Sequence, residues 1–153
     1  AGPDHIMESI EYGKVLHYGS HNAPRLGLYA AKTMLEEMCR DDNSGFHKIS
    51  AIGDQMTTRL NQVARDTGQN MRVQNVGSMF HPVFTDLDAI TNYREFCATV
   101  DLDKYGTFSQ LMRDQGIFFS GNKILHNLSC TEHTQSDIDA SIEAAGIALE
   151  QMG

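Results

Sequence analysis

Apolar positions recur along the chain first at helical spacing, then in alternation, then at helical spacing again, and this pattern sets out the elements. Pro3 to Glu11 predicts a short helix with Ile6, Met7 and Ile10 on one side. Val15 and Leu16 read as a short strand. Pro24 to Arg40 predicts a long helix: Leu28, Ala31, Leu35 and Met38 form a stripe that Leu26 and Met34 widen. Asn22 suits its N-cap and Pro24 its first turn, where a missing N–H costs nothing. Asp41 to Gly45 is a polar break. A second long helix runs from about Phe46 to Thr67 through Ile49, Ile52, Met56, Leu60 and Val63, with Gly68 at the C′ position.

The period then changes. Met71 to Val76 alternates as a half-buried strand does, Gly77-Ser78 turns, and Met79 to Phe84 returns, with Pro82 marking an edge or a bulge. Asn92 to Ala98 predicts one or two helical turns. Asp103 to Gln115 predicts a third long helix carried by Tyr105, Phe108, Leu111 and Met112, closed by Gly116. Ile117 to Phe119 and Ile124 to Leu128 read as short strands around the turn Ser120-Gly121-Asn122. Thr134 to Asp137 is a capping box for a last helix striped by Ile138, Ile142, Ala145, Leu149 and Met152. This order predicts an α+β fold, a small antiparallel sheet with helices packed on one face.

Composition narrows the function classes. The 153 residues are 41% hydrophobic, with seven Phe and eight Met, enough for one domain that buries roughly two thirds of its unfolded surface. The formal net charge is −8 and no Lys/Arg cluster is visible, which argues against a nucleic-acid surface. No apolar run is long enough for a membrane span. Ala1-Gly2-Pro3-Asp4 lacks the basic and apolar regions of a secretory signal, and the chain begins without Met, as though cut out of something longer. Cys39, Cys97 and Cys130 are widely spaced and odd in number, the usage of a reduced, cytoplasmic protein rather than a disulfide framework.

Most candidate chemistry dissolves on inspection. The seven His share no helical face at ligand spacing, and Cys130 with His133 lacks a second pair, so no metal site is expected. Asp41-Asp42-Asn43-Ser44-Gly45 lacks the spaced ligands and closing Glu of a calcium loop. Ser20 and His21 are adjacent and support no nucleophile-base pairing. What remains is Gly13 to Leu26, read as a strand delivering a Gly19-Ser20 loop to a helix N-terminus. Such a loop can present a hydroxyl, free backbone N–H groups and the positive end of the helix dipole to a phosphate.

Three stretches, read together, resemble one family. Val15 to Glu37 (VLHYGSHNAPRLGLYAAKTMLEE) resembles the segment in which class III, pyridoxal-phosphate-dependent aminotransferases carry a His-Gly-Gly-Thr-type loop before an Ala-rich helix. Val76-Gly77-Ser78-Met79-Phe80 with Phe84-Thr85-Asp86 is similar to the Gly-Ser-Met-Phe strand of the glutamate-1-semialdehyde 2,1-aminomutase branch. Gly116 to Phe119, Ser129 to Thr134 and Asp137 to Asp139 resemble that branch's closing strands and last helix. The resemblance covers nearly the whole chain.

It implies the C-terminal portion of a fold-type I enzyme: residues 1–23 as the end of the large domain with the phosphate-loop-like segment, and 24–153 as helices plus the C-terminal small domain. It implies cofactor-binding roles for Gly19, Ser20 and Asn22, with the Ser20 hydroxyl touching the pyridoxal phosphate of the partner subunit across a homodimer interface. Ser20 stands where Thr is common and keeps the donor hydroxyl. Ala23-Pro24-Arg25 departs from the usual Gly-Asn-Pro, and Arg25 receives no role. The family's cofactor lysine lies upstream of the resembling part. None of Lys14, Lys32, Lys48, Lys104 and Lys123 is followed by that lysine's glycine-rich turn. The expectation is a fragment of an amino-group-moving enzyme, with an upstream large domain as partner, no catalytic residue of its own and no covalently bound cofactor. The alternative is a stand-alone, non-catalytic α+β binding module.

Overall fold

The computed structural model describes residues 2–11, 13–16, 19 and 21–153, in two units, Ala1–Met38 and Cys39–Gly153. The first unit carries α1 (Asp4–Glu11) and α2 (Arg25–Met38), both amphipathic and both without a buried residue. Val15 and Leu16 form no strand. The Val15 N–H bonds back to the Ser9 carbonyl at 2.9 Å, which leaves this stretch without a neighbouring strand. Nor does Asn22 cap α2. A proline disfavours helical backbone at the residue before it, so α2 cannot begin ahead of Pro24, whose carbonyl accepts the first helical bond, from Leu28 N–H at 3.0 Å.

The second unit opens with α3 (Arg40–Asp66). The polar break is a kink within it: Asp41, Asp42 and Asn43 all take left-handed backbone, with φ of 48°, 56° and 64°. Asp and Asn tolerate this conformation better than most residues because their short polar side chains bond locally. The helix ends in a Schellman motif. Gly68 has φ 68°, its N–H bonds to the Arg65 carbonyl, and the Gln69 N–H bonds to the Ala64 carbonyl.

β1 (Met71–Val76) and β2 (Met79–Phe84) form a hairpin, and β3 (Asn127–Leu128) pairs with β2, all antiparallel in the order β1-β2-β3. Between the strands lie α4 (Tyr93–Thr99), capped by Asn92, and α5 (Leu102–Asp114), capped by Asp101; α6 (Gln135–Glu150) closes the chain behind the predicted Thr134–Asp137 capping box. Met71, Val73, Phe80 and Phe84 present one sheet face to Ile52, Met56, Leu60 and Ala64 of α3, Tyr105, Phe108 and Met112 of α5, and Ile138, Ile142, Ala145 and Leu149 of α6. Phe96 of α4 instead meets His81, which leaves the opposite face of β2. The α3 helix approaches the hairpin turn closely. A Cβ on Gly53 would lie 2.1 Å from the Gly77 carbonyl oxygen, so only glycine permits this contact.

Two expected strands are corrected. Residues 117–119 join no ladder: their alternation buries Phe119 between Phe80 and Phe108, with ring centroids 5.9 and 5.8 Å away, and leaves Phe118 exposed. The Ile124–Leu128 strand shrinks to two residues because of Pro82. Val73 turns its backbone outward to Asn61, so Val73↔Pro82 is a non-hydrogen-bonded pair. In the antiparallel alternation Pro82 therefore turns its missing N–H toward β3, and the ladder stops after Phe80↔Asn127. β2 is thus the middle strand rather than the edge strand or bulge expected from Pro82, which is accommodated because the β3 ladder ends before reaching it.

Candidate functional site

The loop ahead of α2 brings Gly19 and Asn22 together. The Asn22 N–H bonds to the Gly19 carbonyl at 3.0 Å, and the Asn22 amide folds over Gly19, where a Cβ would lie 3.0 Å from its Oδ1. Ala23 follows in left-handed backbone, φ 57°. Ser20 lies outside the described residues. Gly19, Asn22 and Arg25 are all exposed. The first N–H groups of α2, beyond Pro24, have no intrahelical acceptor, so the helix end is a donor-rich terminus of 14 residues' length. Fit to a phosphate rests on these backbone donors.

A second feature was not legible locally. In the Cys39–Gly153 unit a cavity of about 630 Å³ opens between α3, the 116–120 segment, β3 and the start of α6. Its floor is apolar, formed by Ile52, Met56, Phe80 and Phe119. Its rim carries His126, Asn127, His133 and Asp137. These residues come from α3, β2, the 116–120 segment, β3 and the start of α6, with the loops that lead into the last two, and no spacing in the sequence joins them. The volume falls in the range of small-molecule pockets.

The wall formed by the 116–128 segment is held by few polar contacts. The Tyr105 hydroxyl donates to the Ser120 carbonyl at 2.8 Å, and the Ser120 N–H donates to Asn127 Oδ1 at 2.8 Å. Lys123 pairs with Asp103 at 2.7 Å, which holds the Asp103 carboxyl below its ordinary value. Burial pushes the Tyr105 phenol up, against the opposing effects of Asn127 and Arg113. Ser129 anchors the end of β3, its hydroxyl donating to the Ile49 carbonyl at 3.0 Å.

The rim offers little acid-base chemistry. His133 Nδ1 accepts the Cys130 backbone N–H at 3.0 Å, with Cys130 Sγ at 3.2 Å. The Asp137 carboxylate is committed to Thr134, accepting from its N–H at 2.8 Å and its hydroxyl at 2.7 Å, which lowers its pKa. Among the described residues no three His, Cys, Asp or Glu side chains are placed to hold a metal ion. Cys39, Cys97 and Cys130 are free, exposed thiols. No helix among the described residues is long and apolar enough to cross a membrane.

The fold is that of the C-terminal part of transaminases. The β-phenylalanine aminotransferase of Variovorax paradoxus superposes with a TM-score of 0.83 at 19% identity, over 99% of this chain and 34% of its own. A transaminase solved with PLP bound gives 0.71 at 17%, over 90% of this chain and 30% of its own. In sequence the chain is similar to glutamate-1-semialdehyde 2,1-aminomutase of Chloroflexus aggregans, 32% identical across 99% of this chain and 35% of the relative. The chain therefore spans about a third of the length of the relatives it matches. No family model matches it. The resemblance carried by the three motifs, to the class III aminotransferases and their aminomutase branch, holds along the whole chain.

Proposed function

We propose that this chain is the C-terminal portion of a pyridoxal-phosphate-dependent aminotransferase or aminomutase, a part that does not move an amino group by itself. The observation that carries this reading is the end-to-end similarity to an aminomutase, 32% identity over 99% of the chain, on a transaminase fold. In this reading residues 1–23 close the large domain and 24–153 form the helices and small domain. The pyridoxal phosphate supplies the electron sink for amino-group chemistry when bound. Gly19, Ser20 and Asn22, with the N-terminus of α2, hold its phosphate from across a homodimer interface. The exposed Gly19–Asn22 turn and the unpaired N–H groups at the start of α2 support that role, and the Ser20 hydroxyl would complete it. Three surface thiols suit a reducing, cytoplasmic setting.

Two measurements test the reading. The chain is mixed with pyridoxal phosphate and reduced with borohydride. No turnover and no adduct at a single lysine are expected; a stoichiometric adduct with turnover overturns the claim that the chain is not competent alone. Inorganic phosphate is then titrated while the amide signals of Gly19, Ser20 and His21 are followed. A weak saturable shift, screened by salt and reduced in Ser20→Ala, is expected, because an exposed helix end contributes only about 0.3–1 kcal/mol to holding an anion. No shift removes the phosphate role from these residues.

A further inference from the structure

The β2–β3 ladder ends at Phe80 and Asn127, and the next residue on each side, His81 and His126, lies just beyond it, near enough for His126 to act electrostatically on His81. Like charges so placed repel. His81 is enclosed. Its ring meets Tyr105 of α5 edge-on at 5.7 Å and Phe96 of α4 at 6.0 Å, and its Nε2 is buried without a hydrogen-bond partner.

No group around it is bonded to Nε2, where a second imidazole proton would sit. The 121–126 loop presents His126 and the Lys123 carbonyl, while the Lys123 ammonium is drawn off to Asp103 of α5. From α5 comes the Tyr105 hydroxyl, already donating to Ser120. From α4 comes Phe96, with Tyr93 stacked on it at 6.0 Å. From β1 comes the neutral partner Gln74, bonded to Ile90.

We propose that His81, with His126 beside it, is a proton-operated catch: a neutral His81 imidazole lets the 120–127 segment close on β2 and α5, and a proton taken up on His81 as pH falls releases that segment and the cavity wall it forms. In the closed state a proton on His81 Nε2 has no bonded partner and lies near a second imidazole. In the open state it meets water. The open state therefore binds the proton more tightly, and falling pH favours it. Burial, then the charge of His126, hold closed His81 below 6.5, against the Lys123 carbonyl, which is the direction the catch requires. The segment is suited to local release because Pro82 limits its ladder to two residue pairs.

Hydrogen exchange of the full chain at pH 7.5 and 5.5 tests this, with each amide's rate normalised to its unstructured rate at the same pH. Protection at Ser120 and Asn127 should fall by up to about tenfold for each pH unit between 6.5 and the titration point of closed His81, while Leu60 in α3 keeps its protection. His81→Phe preserves the ring contacts with Tyr105 and Phe96 and should abolish the loop response. His126→Gln, an exposed change, should raise the pH at which the His81 ring signal titrates. Equal loss of protection at Ser120 and Leu60, an unchanged response in His81→Phe, or no upward shift in His126→Gln would overturn the catch.

Discussion

The side chain of Asn61 acts on Val73 as a neighbouring strand would: its Oδ1 accepts the Val73 N–H at 2.9 Å and its Nδ2 donates to the Val73 carbonyl at 2.8 Å. One amide thereby satisfies the outward backbone of β1 and joins α3 to the sheet edge. Asn61→Ala leaves both backbone groups unpartnered in a part-buried site and should cost about 2–4 kcal/mol. Asn61→Asp keeps the acceptor but opposes a carboxylate to the carbonyl, and should be at least as damaging. Urea midpoints at constant slope measure both, and a loss below about 0.5 kcal/mol in Asn61→Ala would show that water replaces the amide freely.

Two glycines in helices should respond with opposite signs. Gly53→Ala drives a Cβ to 2.1 Å from the Gly77 carbonyl oxygen, so α3 must separate from the hairpin turn. A cost of about 1–3 kcal/mol is expected despite alanine's better helix propensity. A Cβ on Gly146 in α6 meets Val63 Cγ1 at 3.7 Å, an ordinary contact. Gly146→Ala should therefore stabilise by up to about 1 kcal/mol. Thermal or urea unfolding of the two variants, side by side, checks the contrast.

The capping box predicts an acid limb. Asp137 is held below its ordinary 3.8 by the Thr134 N–H and hydroxyl. A carboxyl depressed in the folded state contributes stability that is present above about pH 4 and lost as pH falls through its folded value. Thr134→Ala removes the hydroxyl donor. It should cost about 1 kcal/mol at neutral pH, move Asp137 back up, and make the acid limb shallower. Asp139, lowered chiefly by Arg59 of α3, should keep its own share of that limb. Stability measured from pH 7 to 2.5 in the two chains decides this. An unchanged limb in Thr134→Ala would deny the link.

The apolar face of α2 predicts self-association. Leu26, Tyr29 and Met34 are 83%, 70% and 62% exposed, an arrangement a helix stripe adopts when its partner surface lies on another body. The chain should sediment as a dimer or larger species. Leu26→Glu should raise the dissociation constant roughly tenfold or more, since burying a leucine contributes about 1.5–3 kcal/mol. A monomer at every concentration would count against the proposed dimer.

Where a single element could satisfy itself, its reading from the residues survived. The 3.6-residue stripes of α3, α5 and α6, the Thr134–Asp137 box, the Gly68 stop and the Met71–Phe84 hairpin are local devices whose partners lie within a few residues. The motif resemblance belongs here too, because it is a property of the linear order. Apart from the Asn22 cap, undone by its neighbour Pro24, the errors fell where the partner is distant. Ile117 to Phe119 looks like a strand because it alternates, yet its alternation serves the slot between Phe80 and Phe108. Val15-Leu16 looks like one and finds no neighbour.

The sequence by itself determined the α+β order of elements, the helix boundaries to within a few residues and the likeness to an aminotransferase, because spacing, caps and motifs act over short separations. Only the tertiary structure decided how far β3 extends, since that depends on which way Pro82 points in a ladder whose phase Asn61 reveals. It alone assembled the cavity from α3, β2, the 116–120 segment, β3 and α6 and brought His126 near His81, because register across strands and the meeting of distant faces are settled by packing, not by any interval along the chain.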